Sequence, residues 1–172
     1  MRIRLSDIGK EGLHIVTFRG PEWLVNIPEL ASETDDTRLS SNIRFNLRLV
    51  KVLREITVYG TISFSIVSLC ARCLRDVDMV LSPEVNLVLS PQHHDEERDD
   101  KDVDYETYSG DEFDLGSYLR EVIAMSLPVK VLCQEECKGL CQVCGANLNE
   151  GSCSCKDDRI DPRFAVLRGL KI

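Results

Sequence analysis

No apolar run in the 172-residue chain approaches the roughly 20 residues that a membrane helix needs. The opening MRIRLSDIGKEG carries arginines but no apolar h-region and no small-residue cleavage site, so no secretory leader is expected. There is no nucleophile elbow, no phosphate-binding glycine loop and no convincing acid–base pair. Many carboxylates, eleven of the 29 acidic residues, fall in one polar run over 93–114 where no scaffold fixes them. No internal repeat is visible beyond close pairs of cysteines. These absences point away from an enzyme and away from a membrane. They point to a cytoplasmic protein, where thiols stay reduced and disulfides are rare.

Cysteine, by contrast, is abundant. The eight are Cys70, Cys73, Cys133, Cys137, Cys141, Cys144, Cys153 and Cys155, in the close pairs C-x2-C, C-x3-C, C-x2-C and C-x-C. One short loop can turn two sulfurs towards one ion, and eight is twice the ligand count of a structural tetrahedral zinc site. The chain is long enough for one ordinary domain plus a small appendage, and its 43% hydrophobic content supports a core. The formal net charge is −8. Two zinc tetrathiolates, each adding four thiolates and one dication, take it to about −12. Such a protein does not coat RNA non-specifically; any contact with RNA needs a local basic patch or a basic partner.

The predicted fold is α+β: an antiparallel β-meander packed against one main helix, with a C-terminal zinc-ribbon-like segment. RIRLSDI and HIVTFRG read as short strands, and SETDDTRLSS as a loop. Trp23, beside proline, reads as a packing residue. Ile43, Phe45, Leu47 and Leu49 alternate with polar residues, the period of a half-buried strand. A second strand runs through Val58, Ile62, Phe64 and Ile66, its register loose around Gly60. A third covers Asp76 to Leu89 with a break at Pro83. The short connections favour antiparallel pairing and place CARCL at the turn between the second and third strands. Residues 93–112, HHDEERDDKDVDYETYSGDE, predict a mobile acidic loop in which His93 and His94 are merely solvated. Asp114 is placed to cap a helix with an apolar stripe of Leu115, Tyr118, Leu119, Val122 and Ile123, ended by Pro128. A last short helix is expected after Asp161-Pro162. The resulting division is an α+β domain over 1–132 and a cysteine-rich segment over 133–172 packed on it.

LCQVCG has zinc-knuckle form: backbone N–H groups face the first sulfur, and the residue after the second cysteine takes a positive φ, which suits Gly145. With Cys153 and Cys155 across the turn ANLNEGS, Cys141 and Cys144 make one local tetrathiolate set. Cys70, Cys73, Cys133 and Cys137 make a second, which clips the strand turn to the segment after the helix. Cys137 lies as near in sequence to Cys141 as to Cys133, so another partition stays open. Zn2+ in two structural sites is the favoured cofactor. An iron–sulfur cluster and thiol redox or metal-sensing chemistry are the alternatives. A closed tetrathiolate offers no open coordination position and so cannot act on a substrate.

Together CARCL, DLGSYLREVIAMSLPVKVLC, CKGLCQVCGANLNEGSCSC and DPRFAVLRGL resemble the YceD family of bacterial and chloroplast proteins, from about Ile43 to the C-terminus. The resemblance implies a role in accumulation of 23S ribosomal RNA and in building or maturing the large subunit, and implies no known catalytic activity. Charge suggests how. Arg38 to Arg75 holds seven basic residues against Glu55, a balance of +6; residues 93–114 hold eleven acids against Arg98 and Lys101, a balance of −9. Arg44, Arg48, Lys51 and Arg54 are therefore candidates for contact with rRNA phosphates. The acidic run is a candidate for holding a basic ribosomal protein. The competing readings are ordinary solvated surface, and a zinc-stabilised adapter that binds only proteins.

Overall fold

The computed structural model describes residues 1–24, 27, 30, 37–92 and 104–155. Among the described residues, nine strands and one α-helix of regular length order as β1 (Arg2–Arg4), β2 (Leu13–Arg19), β3 (Thr37–Leu39), β4 (Ile43–Val52), β5 (Glu55–Leu69), β6 (Asp76–Leu81), β7 (Glu84–Pro91), β8 (Asp104–Tyr108), β9 (Glu112–Asp114) and α1 (Gly116–Ser126). Seven strands form the main sheet. Its path runs β2-β4-β5-β7-β8, with β3 and β6 both paired to the far half of β5. β1 and β9 make a separate two-stranded ribbon.

β5 is the spine: its 15 residues bury Ile56, Val58, Ile62, Phe64 and Ile66 in alternation, interrupted at Gly60. Its first half lies between β4 and β7, and its second half between β3 and β6. Gly60, at φ 148°, lies against the backbone of β4. A Cβ there would stand 2.1 Å from the Asn46 carbonyl oxygen, so only glycine allows the two strands this approach. The loose register expected around Gly60 is not found: pairing with β4 and β7 runs through it without a break, Gly60 opposite Leu47 and Val85.

The third predicted stretch is two strands, β6 and β7, separated at Ser82-Pro83 because proline cannot donate to the ladder. Two further expectations need correction. The sheet is not wholly an antiparallel meander: β8 pairs with β7 in parallel, Leu87 opposite Asp104 through Pro91 opposite Tyr108. Part of the acidic run is also ordered, since residues 104–108 form β8 and Glu112–Asp114 forms β9. Counting acids hid the β-forming Thr107 and Tyr108; the Tyr108 ring lies 6.2 Å from Phe113, and its hydroxyl donates to the Arg54 carbonyl at 2.6 Å. Residues 93–103 and the expected last helix lie outside the described residues.

The core lies on one face of the sheet. Ile43, Phe45, Leu47 and Leu49 of β4, and Ile56, Val58, Ile62, Phe64 and Ile66 of β5, are all buried there. The helix contributes Leu119 and Ile123, preceded by Leu115, with Tyr118 and Val122 half-buried on the same stripe. Trp23 is a packing residue, edge-on to Phe45 at 5.1 Å, with the Arg120 guanidinium 5.1 Å from its ring centre. Asp114 accepts from Gly116 N–H at 2.8 Å and pairs with the Met1 ammonium. The ammonium first, then that N–H, hold its carboxyl below the usual carboxylate range.

Candidate metal centres and a basic sheet face

The last residue of β5 is Leu69, and the next, Cys70, opens a six-residue turn to β6. Within it the chain forms a knuckle: Cys70 N–H donates to the Arg75 carbonyl at 2.8 Å, and Leu74 N–H to the Cys70 carbonyl at 2.9 Å. The segment after α1 is laid against this turn. Ala71 N–H reaches the Val131 carbonyl at 2.8 Å, and the Arg72 guanidinium donates to the carbonyls of Glu135 and Cys137 at 3.2 and 2.8 Å. These bonds bring Cys133 and Cys137 to Cys70 and Cys73.

Further on, the same geometry recurs. Cys141 N–H donates to the Ala146 carbonyl at 2.8 Å, and Gly145 N–H to the Cys141 carbonyl at 2.9 Å. Cys141 Sγ accepts from Val143 N–H at 3.4 Å. In both knuckles the residue after the second cysteine is left-handed: Gly145 at φ 74° and Leu74 at φ 58°. The sequence gives no sign of the second case, because a leucine rarely takes that conformation.

The eight cysteines fall into two groups: Cys70, Cys73, Cys133 and Cys137, and Cys141, Cys144, Cys153 and Cys155. Within each group the sulfurs all lie within 4.8 Å of one another. None is bonded to another. A tetrahedral ion with bonds of about 2.3 Å to sulfur sets its sulfurs about 3.8 Å apart. Cys70 and Cys137 are 3.8 Å apart, and Cys73 and Cys133 3.5 Å apart. Four thiols at this spacing, with N–H groups aimed at them, fit a tetrathiolate metal ion. The groups differ in setting. Cys70, Cys73 and Cys137 are buried in a small cluster with Val77, Leu132 and Leu140, while Cys144 and Cys155 are exposed.

Burial pushes the Cys70 thiol up, but N–H groups of Arg72, Cys133 and Cys73 together bring it down to about 6. Cys141 also falls to about 6, through the N–H groups of Cys144 and Val143. The partners hold their protons: burial and then Cys73 push Cys133 up to about 12, and Cys144 and then burial push Cys155 up to about 12. Asn149, in the turn between the arms of the outer knuckle, donates to Cys137 Sγ at 3.3 Å. It thus joins the two groups, helped by the Arg75–Glu150 ion pair at 3.0 Å.

The structure also divides the basic stretch between Arg38 and Arg75. Arg38 pairs with Asp76 at 3.1 Å, Arg72 holds carbonyls and Arg75 pairs with Glu150. The other four, Arg44, Arg48, Lys51 and Arg54, are exposed and take no part in the ion pairs among the described residues. They do not form one row. Arg44 and Arg48 share the outer face of β4, an interior strand between β2 and β5. Lys51 has the parity of the inner face and stands at the strand's exposed end, and Arg54 is in the turn to β5.

No helix among the described residues is long and apolar enough to cross a membrane. No solved structure matches the chain. A maize protein named large ribosomal RNA subunit accumulation protein YCED homolog 1, chloroplastic, is 26% identical over 98% of this chain and 61% of its own length. An uncharacterized protein of Mycobacterium leprae is 30% identical over 74% of this chain and 58% of its own length. The chain thus spans about 60% of the length of these two relatives. The Bacillus subtilis protein YlbN, also uncharacterized, is 26% identical over 85% of this chain and 84% of its own length. The family profile described as large ribosomal RNA subunit accumulation protein YceD matches residues 58–171, a span that takes in every cysteine of both clusters, and the chain belongs to that family.

Proposed function

We propose that the protein is a non-enzymatic cytoplasmic factor in the accumulation of 23S ribosomal RNA and the assembly of the large subunit, with one structural zinc ion in each four-cysteine cluster. The carrying observation is that the family match, whose description concerns large-subunit rRNA, spans both clusters. Closed four-thiol sites support a scaffold rather than a catalyst, because they leave no position for water or substrate. Zinc fits better than iron–sulfur, since the cysteine spacings match none of the standard cluster runs. Arg44, Arg48, Lys51 and Arg54 are the proposed contacts to rRNA phosphates. The acidic residues of 93–114 are proposed to hold a basic ribosomal protein.

The test is depletion of the protein in its host. The expected result is a fall in 23S relative to 16S rRNA, comigration of the protein with large-subunit precursors in sucrose gradients, and 23S fragments recovered by ultraviolet crosslinking. An unchanged rRNA ratio refutes the role. A changed ratio without crosslinked RNA selects the second reading, an adapter that acts only through proteins. That reading is favoured by the overall charge of −8.

A further inference from the structure

The outer face of β2, β4 and β5 is not the surface expected of a sheet that merely faces water. Across the strands, Phe18 stands opposite Arg44, His14 opposite Arg48, and Arg48 opposite Tyr59. All lie on the face away from the core. Phe18 is 56% and Tyr59 41% exposed. Next to Tyr59 is a shallow hollow of ≈ 480 Å³ between Gly60, Asn46, Arg48 and His14, with Glu11 at its margin. His14 Nε2 lies 2.7 Å from Asn46 Oδ1. With the imidazole protonated at Nε2, the amide oxygen is occupied and the Asn46 NH2 group is left to donate outwards.

We propose that this face binds single-stranded RNA, with Phe18 and Tyr59 as stacking platforms, Arg44 and Arg48 on phosphates, and the His14–Asn46 pair against a base edge in the hollow. The inference rests on the rRNA role proposed above and specifies the form of RNA. Aromatic rings flanked by guanidinium groups on an open sheet match splayed bases with a phosphate beside each. A duplex hides its base faces and would leave both rings unused. Positive charge argues against a protein segment of ordinary composition: Arg44 and Arg48 have no carboxylate partner among the described residues, in a chain with eight more acids than bases.

The test uses the zinc-loaded full chain and a fluorescein-labelled 12-nucleotide RNA of mixed sequence, alone or annealed to its complement, read by fluorescence anisotropy. The single strand is expected to bind more tightly than the duplex. Tyr59→Ala and Phe18→Ala should each weaken it about 10-fold or more. Arg44→Glu and Arg48→Glu should weaken it further and flatten its salt dependence. Lys138→Glu, on the cysteine-rich segment, should leave it unchanged. Melting temperatures should not move, since these side chains are exposed. No saturable binding to the single strand, equal binding to the duplex, or full affinity in Tyr59→Ala overturns the proposal. So does loss of comigration with subunit precursors in Arg48→Glu at unchanged RNA affinity, which would make the face a protein contact. Normal 23S levels in depleted cells, with the binding pattern intact, would refute the rRNA role and leave the face standing.

Discussion

Removing one sulfur from each cluster should have unequal consequences. The inner cluster ties the β5–β6 turn to the chain after α1, and Cys73 and Cys133 are 60 residues apart. In the outer cluster, Cys144 and Cys153 are nine residues apart. The entropy of closing a loop grows as 1.5RT ln n, so the long clip restricts the unfolded chain by about 1.7 kcal/mol more than the short one. Burial adds to the contrast, because the inner sulfurs pack with Val77, Leu132 and Leu140 under the end of the sheet. Elemental analysis should find two zinc ions per wild-type chain, and one in each of Cys70→Ser and Cys153→Ser. Urea denaturation followed by far-ultraviolet circular dichroism should place Cys70→Ser below Cys153→Ser by at least that difference. Zinc titration into metal-free wild-type protein should show the same contrast without a substitution: the first ion restores most of the cooperative transition. Two zinc ions retained by Cys70→Ser, or equal losses of stability, would falsify the assignment of the inner cluster as the long-range clip.

Chelator should strip the outer site first, since Cys144 and Cys155 are exposed and Cys70 is wholly buried; a colorimetric zinc indicator should record two phases, and Cys153→Ser should lack the fast one. Metal loading should release protons, because zinc takes thiolates while Cys133 and Cys155 keep their protons up to about 12. Zinc affinity therefore falls as pH is lowered, and titration calorimetry in buffers of different ionisation enthalpy should detect proton release at neutral pH; a buffer-independent heat contradicts this. Leu74, exposed and left-handed at φ 58°, carries strain of about 1–2 kcal/mol. Leu74→Gly should leave the melting temperature unchanged or raise it, and Leu74→Val should lower it, with the opposite order counting against a knuckle at this turn. Gly60→Ala should destabilise by about 2 kcal/mol or more in chemical denaturation, because its Cβ would meet the Asn46 carbonyl.

What could be read from the sequence follows from the range of the forces involved. β4 was legible because Ile43 to Leu49 alternate without interruption, and a single period is set by one buried face. The helix was legible for the same reason at a period of 3.6. The parallel pairing of β8 with β7 was not. Nothing local to residues 104–108 specifies which edge they meet, and the acids on either side resemble a solvated run. The grouping of the eight cysteines is intermediate. The outer four are adjacent in the chain, whereas the inner four depend on where α1 releases Val131 and on Arg72 capturing two carbonyls. The left-handed Leu74 was invisible because the sequence rule looks for glycine, and the structure imposes the conformation on leucine.

The arginines carry the same lesson to the surface. Seven basic residues between Arg38 and Arg75 looked like one cationic stretch. Folding spends Arg38 and Arg75 on carboxylates and Arg72 on the carbonyls beside the inner cluster. Pleating then sends Arg44 and Arg48 to one face, away from Lys51. A net count along the chain therefore overstates the field at any one place. The cations left on the outer face are few and lie beside Phe18 and Tyr59. Two or three phosphate contacts give only a shallow salt dependence, about −0.7 in log–log slope per contact on a single strand. Affinity on such a face must come largely from stacking, which salt does not screen, and this suits an acidic chain better than a broad electrostatic grip.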